Sequence, residues 1–169
     1  QFLINGQEAI TPQTIAMPKT SAYTTDPAVK PLVVENYLLY PFRRQDHAGI
    51  NEVRPTSSVL DTYIDEITKV VTKYIPGRIT QMTVSTTGKA VACRNSQNKK
   101  RLYVHQYLWS GNEKKQNAWH TWVFPFDILF VQFIGNRLYL IVKDHKITDD
   151  TPSMIYMDLD NQSYGLSNY

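Results

Sequence analysis

Residues Ile79-Thr80-Gln81-Met82-Thr83-Val84-Ser85-Thr86-Thr87-Gly88-Lys89-Ala90-Val91-Ala92-Cys93-Arg94 hold two short runs of strand-favouring side chains parted by a turn on Gly88. Short runs of Val, Ile, Thr and aromatic residues bounded by Gly, Asn or Pro read as antiparallel strands, and Gly or Asn tolerates the positive φ of a tight hairpin. The expected strands are Ile79 to Val84 and Lys89 to Arg94, followed by Arg101 to Trp109 and Trp119 to Phe124. Together they predict a four-stranded up-and-down meander.

The same strand, turn, strand grammar recurs on either side, in Val33-Val34-Glu35-Asn36-Tyr37-Leu38-Leu39-Tyr40 and Phe133-Ile134-Gly135-Asn136-Arg137-Leu138-Tyr139-Leu140. The turn residues Asn36, Gly88 and Asn136 lie 52 and 48 residues apart, and a period near 50 suits a four-stranded propeller blade. The expected units are about 30–78, 79–127 and 128–169, preceded by a lead-in over 1–29, in a single β domain over 1–169. Further strands are expected at Phe2 to Ile4, Thr14 to Pro18, Leu32 to Val34, Tyr37 to Phe42, Ile50 to Arg54 and Ser58 to Tyr63. Ile128 to Ile134, Arg137 to Lys143 and Met154 to Leu159 complete the set. One short amphipathic helix or helical turn is expected over Ile64 to Tyr74, where Ile64, Ile67, Val70, Val71 and Tyr74 recur at helical spacing ahead of Pro76-Gly77. The predicted fold is thus all-β and antiparallel, an incomplete propeller-like set of about three blades. So few blades cannot close a propeller, so other chain segments or a neighbouring subunit should cover the edges. The start at Gln1, without Met, fits an excised fragment of a longer protein.

Composition narrows the class. Hydrophobic residues make up 42% of the chain and charged residues 20%, which separates it from disordered sequences. The net charge of +3 is too mild to demand a polyanionic partner. Cys93 is the only cysteine, which excludes an internal disulfide and any multi-cysteine zinc site, and its apolar surroundings predict a buried, inert thiol. The sequence has no run of about 18 apolar residues, so no spanning helix is expected.

The stretch Tyr107-Leu108-Trp109-Ser110-Gly111-Asn112-Glu113-Lys114-Lys115-Gln116-Asn117-Ala118-Trp119-His120-Thr121-Trp122 resembles a signature of the tail tubular protein B (tail nozzle) family of short-tailed bacteriophages. Ile10-Thr11-Pro12-Gln13-Thr14-Ile15-Ala16, Tyr74-Ile75-Pro76-Gly77-Arg78-Ile79 and Phe133 to Tyr139 also resemble that family, in order, so the likeness covers roughly residues 1–143. The resemblance implies a virion structural protein in the tail, made in the host cytoplasm. It further implies a hexameric ring that continues the portal and adaptor channel and conducts DNA out of the capsid. The implied partners are the adaptor (tail tubular protein A), tail fibres and, transiently and non-specifically, DNA. No cofactor is implied.

Candidate chemistry is sparse. Trp109, Gly111, Glu113, Lys114, Gln116, Trp119 and Trp122 carry the family signature and are expected to pack. In the strand Trp119 to Phe124, alternation puts Trp119, Thr121 and Val123 on one face and His120, Trp122 and Phe124 on the other, so both faces should be covered. Glu113, Lys114, Lys115 and Gln116 are expected in a solvated hairpin loop, with inter-subunit ion pairs as the alternative. Lys99, Lys100 and Arg101, with Arg94 close by, form the densest basic cluster, and Arg43-Arg44 a second; each could meet DNA phosphates or lie in a solvated turn, Arg44 or Arg43 also neutralising Asp46.

No catalytic or metal site is expected. His47, His105, His120 and His145 are scattered without zinc-ligand spacing. Asp149-Asp150 and Asp158-Leu159-Asp160-Asn161 lack the rest of a calcium loop. Asp61, Asp65 and Glu66 could furnish a glycosidase carboxylate pair only across a cleft, and no serine or cysteine nucleophile has an activating context. The leading expectation is a channel-wall component acting by assembly. The alternatives are a tail-associated glycan hydrolase or depolymerase, and a propeller-type module binding a host surface or protein.

Overall fold

A computed structural model describes residue 11 and residues 24–55, 62–110, 113–144 and 151–159. These residues form twelve strands in three antiparallel sheets, with a single 3-10 turn and no α-helix among the described residues. Sheet 1 runs in the order β1 (Leu32–Val34), β2 (Tyr37–Arg43), β3 (His47–Pro55) and β4 (Thr62–Glu66), with β5 (Ile75–Pro76) also pairing with β3. Sheet 2 is the meander β6 (Ile79–Ser85), β7 (Ala90–Asn95), β8 (Arg101–Ser110) and β9 (Glu113–Val123). Sheet 3 comprises β10 (Asp127–Ile134), β11 (Arg137–Lys143) and β12 (Ser153–Asp158). The expected strands at Phe2 to Ile4 and Thr14 to Pro18, and residues 58–61, lie outside the described residues.

Sheet 2 is the middle layer, with an apolar core on each face, because its strands carry large apolar groups at both parities. On β8, Tyr103 and Tyr107 join Tyr37, Leu39, Ile50, Ile67 and Cys93 in the first core, against sheet 1. The intervening Leu102 and Val104 join Val131, Leu138, Leu140 and Val142 in the second, against sheet 3. On β9, Trp119 packs on the first core and Trp122 on the second, as alternation requires. Burial of Cys93 in the first core pushes its thiol up to about 12, and its Sγ lies 3.4 Å from the Tyr103 carbonyl.

The three expected hairpins form, but their left-handed residues are the neighbours of those expected. Glu35 takes φ 55°, Lys89 φ 49° and Gly135 φ 60°, rather than Asn36, Gly88 and Asn136. Gly135 adopts that backbone without strain, whereas Glu35 and Lys89 carry a Cβ penalty and are joined by an ion pair across the two turns.

The region expected to be helical is mostly not. Ile64 pairs with Val53 in β4, and only Lys69–Val71 forms a 3-10 turn. The apolar spacing misleads because its members do not share a face: Ile67 is buried in the first core while Val70 is 58% exposed. Lys73 at φ 62° and Gly77 at φ 70° break any helical continuation.

Candidate functional site

The seam between sheets 2 and 3 is built from alternate side chains of β6. Gln81, Thr83 and Ser85 point toward β10 and bond the main chain of that strand and of Gly135 just beyond it, at a constant separation of 50 residues. The Gln81 amide donates to the Val131 carbonyl at 2.6 Å and accepts from the Val131 N–H at 3.1 Å, imitating a peptide unit. Thr83 Oγ1 accepts from the Phe133 N–H at 2.8 Å, and the Ser85 hydroxyl lies 3.0 Å from both the Gly135 carbonyl and Asn136 Oδ1. Two sheets that share no backbone ladder are thus tied in register by side chains of β6, with Arg94 of β7 adding a bond to the Leu129 carbonyl.

The seam between sheets 1 and 2 uses rings and charge. Along β8, His105 stacks on Tyr107 at 5.9 Å and lies 4.9 Å from Trp119, while Tyr74 meets Tyr103 edge-on at 5.5 Å. His105 Nε2 is 2.7 Å from Asn117 Oδ1, and burial pushes the imidazole down to about 4, so it is neutral at pH 7. At the end of this stack lies Glu52, 1% exposed, bound by Lys114 Nζ at 2.9 Å and by Arg54. Both cations also flank Trp109, with Arg54 Cζ 3.9 Å and Lys114 Nζ 4.9 Å from the ring centre. The clamp joins β3 to the β8–β9 hairpin, where a buried carboxylate is tolerated because both its oxygens are bonded.

This geometry corrects the expected loop. Glu113, Lys114, Lys115 and Gln116 belong to β9, in register with Ser110, Trp109 and Leu108 of β8, because the hairpin continues beyond Trp119. Lys114 pairs within the chain, and Glu113 pairs with Lys115 at 2.6 Å. Trp109 and Trp119 pack against the first core and Trp122 against the second; Gly111 lies outside the described residues.

The basic residues separate by what they touch. Lys99, Lys100 and Arg101 lie exposed at the β7–β8 turn and the start of β8, yet Lys100 Nζ reaches the Pro125 carbonyl at 3.1 Å. Arg94 turns toward sheet 3, bonding the Leu129 carbonyl and Gln81 Oε1, and its burial lowers its pKa. Arg44 pairs with Glu66 at 2.8 Å rather than with Asp46, whose carboxyl is held below its usual value by His47 Nδ1 at 2.7 Å. Arg43 is exposed. Asp65 pairs with Lys69 at 2.6 Å; Asp61, His145, Asp149, Asp150, Asp160 and Asn161 lie outside the described residues. Among the described residues no three metal-ligating side chains converge.

The three-sheet stack therefore has two chemically distinct seams and a signature hairpin locked into one of them. The family model described as bacteriophage nozzle protein matches residues 1–167. This chain belongs to the bacteriophage nozzle protein family. The family places it among structural components of phage tails, and a comparison with curated proteins gives no match. Within this nozzle-family chain, sequence reading missed Gln81, Thr83, Ser85, Glu52 and Arg54. The readable signal for the first three was polar residues at alternate strand positions, and for Glu52 an acid between Ile50 and Val53 in an expected strand.

Proposed function

We propose that this chain is a wall unit of the tail nozzle, part of a ring that continues the adaptor channel and conducts DNA out of the capsid. The observation that carries the reading is the nozzle-family match over residues 1–167. The three sheets support a propeller-like arrangement, with β1, β6 and β10 as the leading strands of successive units at about 30–78, 79–127 and 128–169, after a lead-in over 1–29. The ring is hexameric, as the family resemblance implies, with adaptor and tail fibres as neighbours, and the protein is made in the host cytoplasm before joining the virion tail. It acts by assembly, without turnover.

In this reading Lys99, Arg101 and Arg43 are the cations that meet passing phosphates, through a sequence-independent attraction that salt weakens. Arg44, Arg94 and Lys100 hold the wall together through the partners described above. Virions carrying Lys99→Glu with Arg101→Glu should eject DNA at an altered rate that converges on the parent's as salt rises. Unchanged ejection at low salt would remove the DNA-contact assignment. Tail images that show no density for this chain would remove the wall reading itself.

A further inference from the structure

Asp65 and Glu66, a carboxylate pair that needed a cleft to have a use, border one in the structure. A cavity of about 420 Å³ opens between β4 and the end of β2, at the small end of the range for small-molecule sites. On β3, Ile50 faces the first core, so alternation turns Asn51 the other way, into this cavity. Asn51 is 5% exposed, yet its side-chain amide has no hydrogen-bond partner among the described residues. A buried amide in that condition costs free energy until something bonds to it.

The charged groups around Asn51 are oriented in advance. Glu66 Oε2 accepts from Arg44 at 2.8 Å and Oε1 from the Thr68 hydroxyl at 2.9 Å, while Asp65 Oδ1 accepts from Lys69 at 2.6 Å. A carboxylate has about four lone-pair sites, so both keep capacity to accept from a ligand. Arg43 and Thr24 stand exposed at the rim, their side chains without a partner among the described residues. Three cations, Arg43, Arg44 and Lys69, thus face two carboxylates, which leaves one positive charge in excess.

This set selects by exclusion. A divalent cation would meet the guanidinium groups, and a polyphosphate would meet the carboxylates. Phe42 is buried, with Arg44 Cζ 5.2 Å from its ring centre, so no bare aromatic face is offered to a stacking base. What fits is a ligand rich in hydroxyls, which both donate and accept, carrying one carboxylate for a guanidinium. We propose that this cavity binds an acidic sugar unit, a uronate, with its hydroxyls on Asp65, Glu66 and Asn51 and its carboxylate on Arg43. Both acids are engaged by cations of the chain, so the site holds its ligand without cleaving it. The inference goes beyond the wall-unit reading and does not depend on it. Arg43 is the one cation it shares with the phosphate contact, and the two uses separate because the sugar also needs Asp65.

Nuclear magnetic resonance titration of the purified chain with glucuronate, glucose, acetate and deoxyguanosine monophosphate tests it. The expected result is saturable glucuronate binding with a dissociation constant on the order of 1 mM, glucose at least about tenfold weaker, and acetate without saturation. Arg43→Ala should bring glucuronate down to the level of glucose, and Asp65→Asn should weaken both severalfold. Circular dichroism should stay at the parent's spectrum, since Arg43 is exposed and Asp65 lies on the last strand in the order of sheet 1. No saturable glucuronate binding up to about 50 mM, acetate binding equal to it, or indifference to both substitutions would overturn the site. Tighter binding of the nucleotide would overturn it in favour of a nucleotide pocket. Tail images with density for the chain would leave the wall reading standing in each of those cases, and glucuronate binding by a chain absent from tails would remove the wall reading alone.

Discussion

The two faces of sheet 2 are glued by different chemistry. Toward sheet 1 it presents Tyr103, His105, Tyr107, Trp109 and Trp119, closed by the buried Glu52 clamp. Toward sheet 3 it presents Ala90, Ala92, Leu102 and Val104, closed by hydrogen bonds to backbone. The first seam is specific in its side chains, because rings and charges have few acceptable substitutes in geometry and partner. The second relies on volume, and most of its polar contacts read main chain, the Ser85–Asn136 contact excepted. One sheet can therefore be locked chemically on one side and fitted sterically on the other.

The largest effect should come from breaking the charged lock. Glu52→Ala leaves Lys114 and Arg54 without their anion and should cost about 4 kcal/mol, measured by denaturant unfolding. Glu52→Gln, which keeps the shape, should cost less, and equal losses would show that packing rather than charge sets the first seam. In the second seam Leu138→Ala should cost about 3 kcal/mol, through lost apolar transfer and the cavity left behind.

Acid should then separate the seams. His105 is held near 4 in the folded chain against an ordinary 6.5, so the unfolded state takes up the proton first. Its contribution is present above about 6.5 and is lost as pH falls toward about 4, by roughly 3 kcal/mol. The difference in stability between the parent and His105→Gln should shrink across that window, with a reporter in the first seam opening before one in the second. A pH-independent difference would show that His105 is stabilised by something other than its neutral form. The smallest of these effects belongs to Thr83→Val, which leaves the Phe133 N–H unpaired and should cost about 1–2 kcal/mol, read by faster amide exchange at Phe133.

The contrast also explains what the sequence made legible. Strands and hairpins were readable because they are local: alternation and turn residues act within ten residues. The second seam's aliphatic half was readable as apolar runs for the same reason. The first seam's lock was not, since Glu52 and Lys114 are 62 residues apart and nothing in either neighbourhood names the other. Lys114 looked like loop because Glu113 to Gln116 is polar, yet a hairpin of ten and eleven residue strands carries its polar end out beyond the core. The basic residues were found as cationic clusters, but Arg44 and Arg94 have carboxylate or carbonyl partners that only the pairing of distant strands supplies. Between Ile64 and Tyr74 only a 3-10 turn forms, because a buried Ile67 and an exposed Val70 fall at helical spacing where a strand ends in a turn.

The bonds from Gln81, Thr83 and Ser85 carry a consequence for how this chain can change over generations. Each reads the main chain of Val131, Phe133 or Gly135, which every non-proline residue supplies alike. Drift on β10 is filtered only by fit and by the exclusion of proline, while drift on β6 is filtered by the identity of the polar group. Related chains should therefore hold amide and hydroxyl side chains on the sixth strand and vary in which apolar residue answers them on the tenth, so that inheritance of the seam is written mainly on the sixth strand.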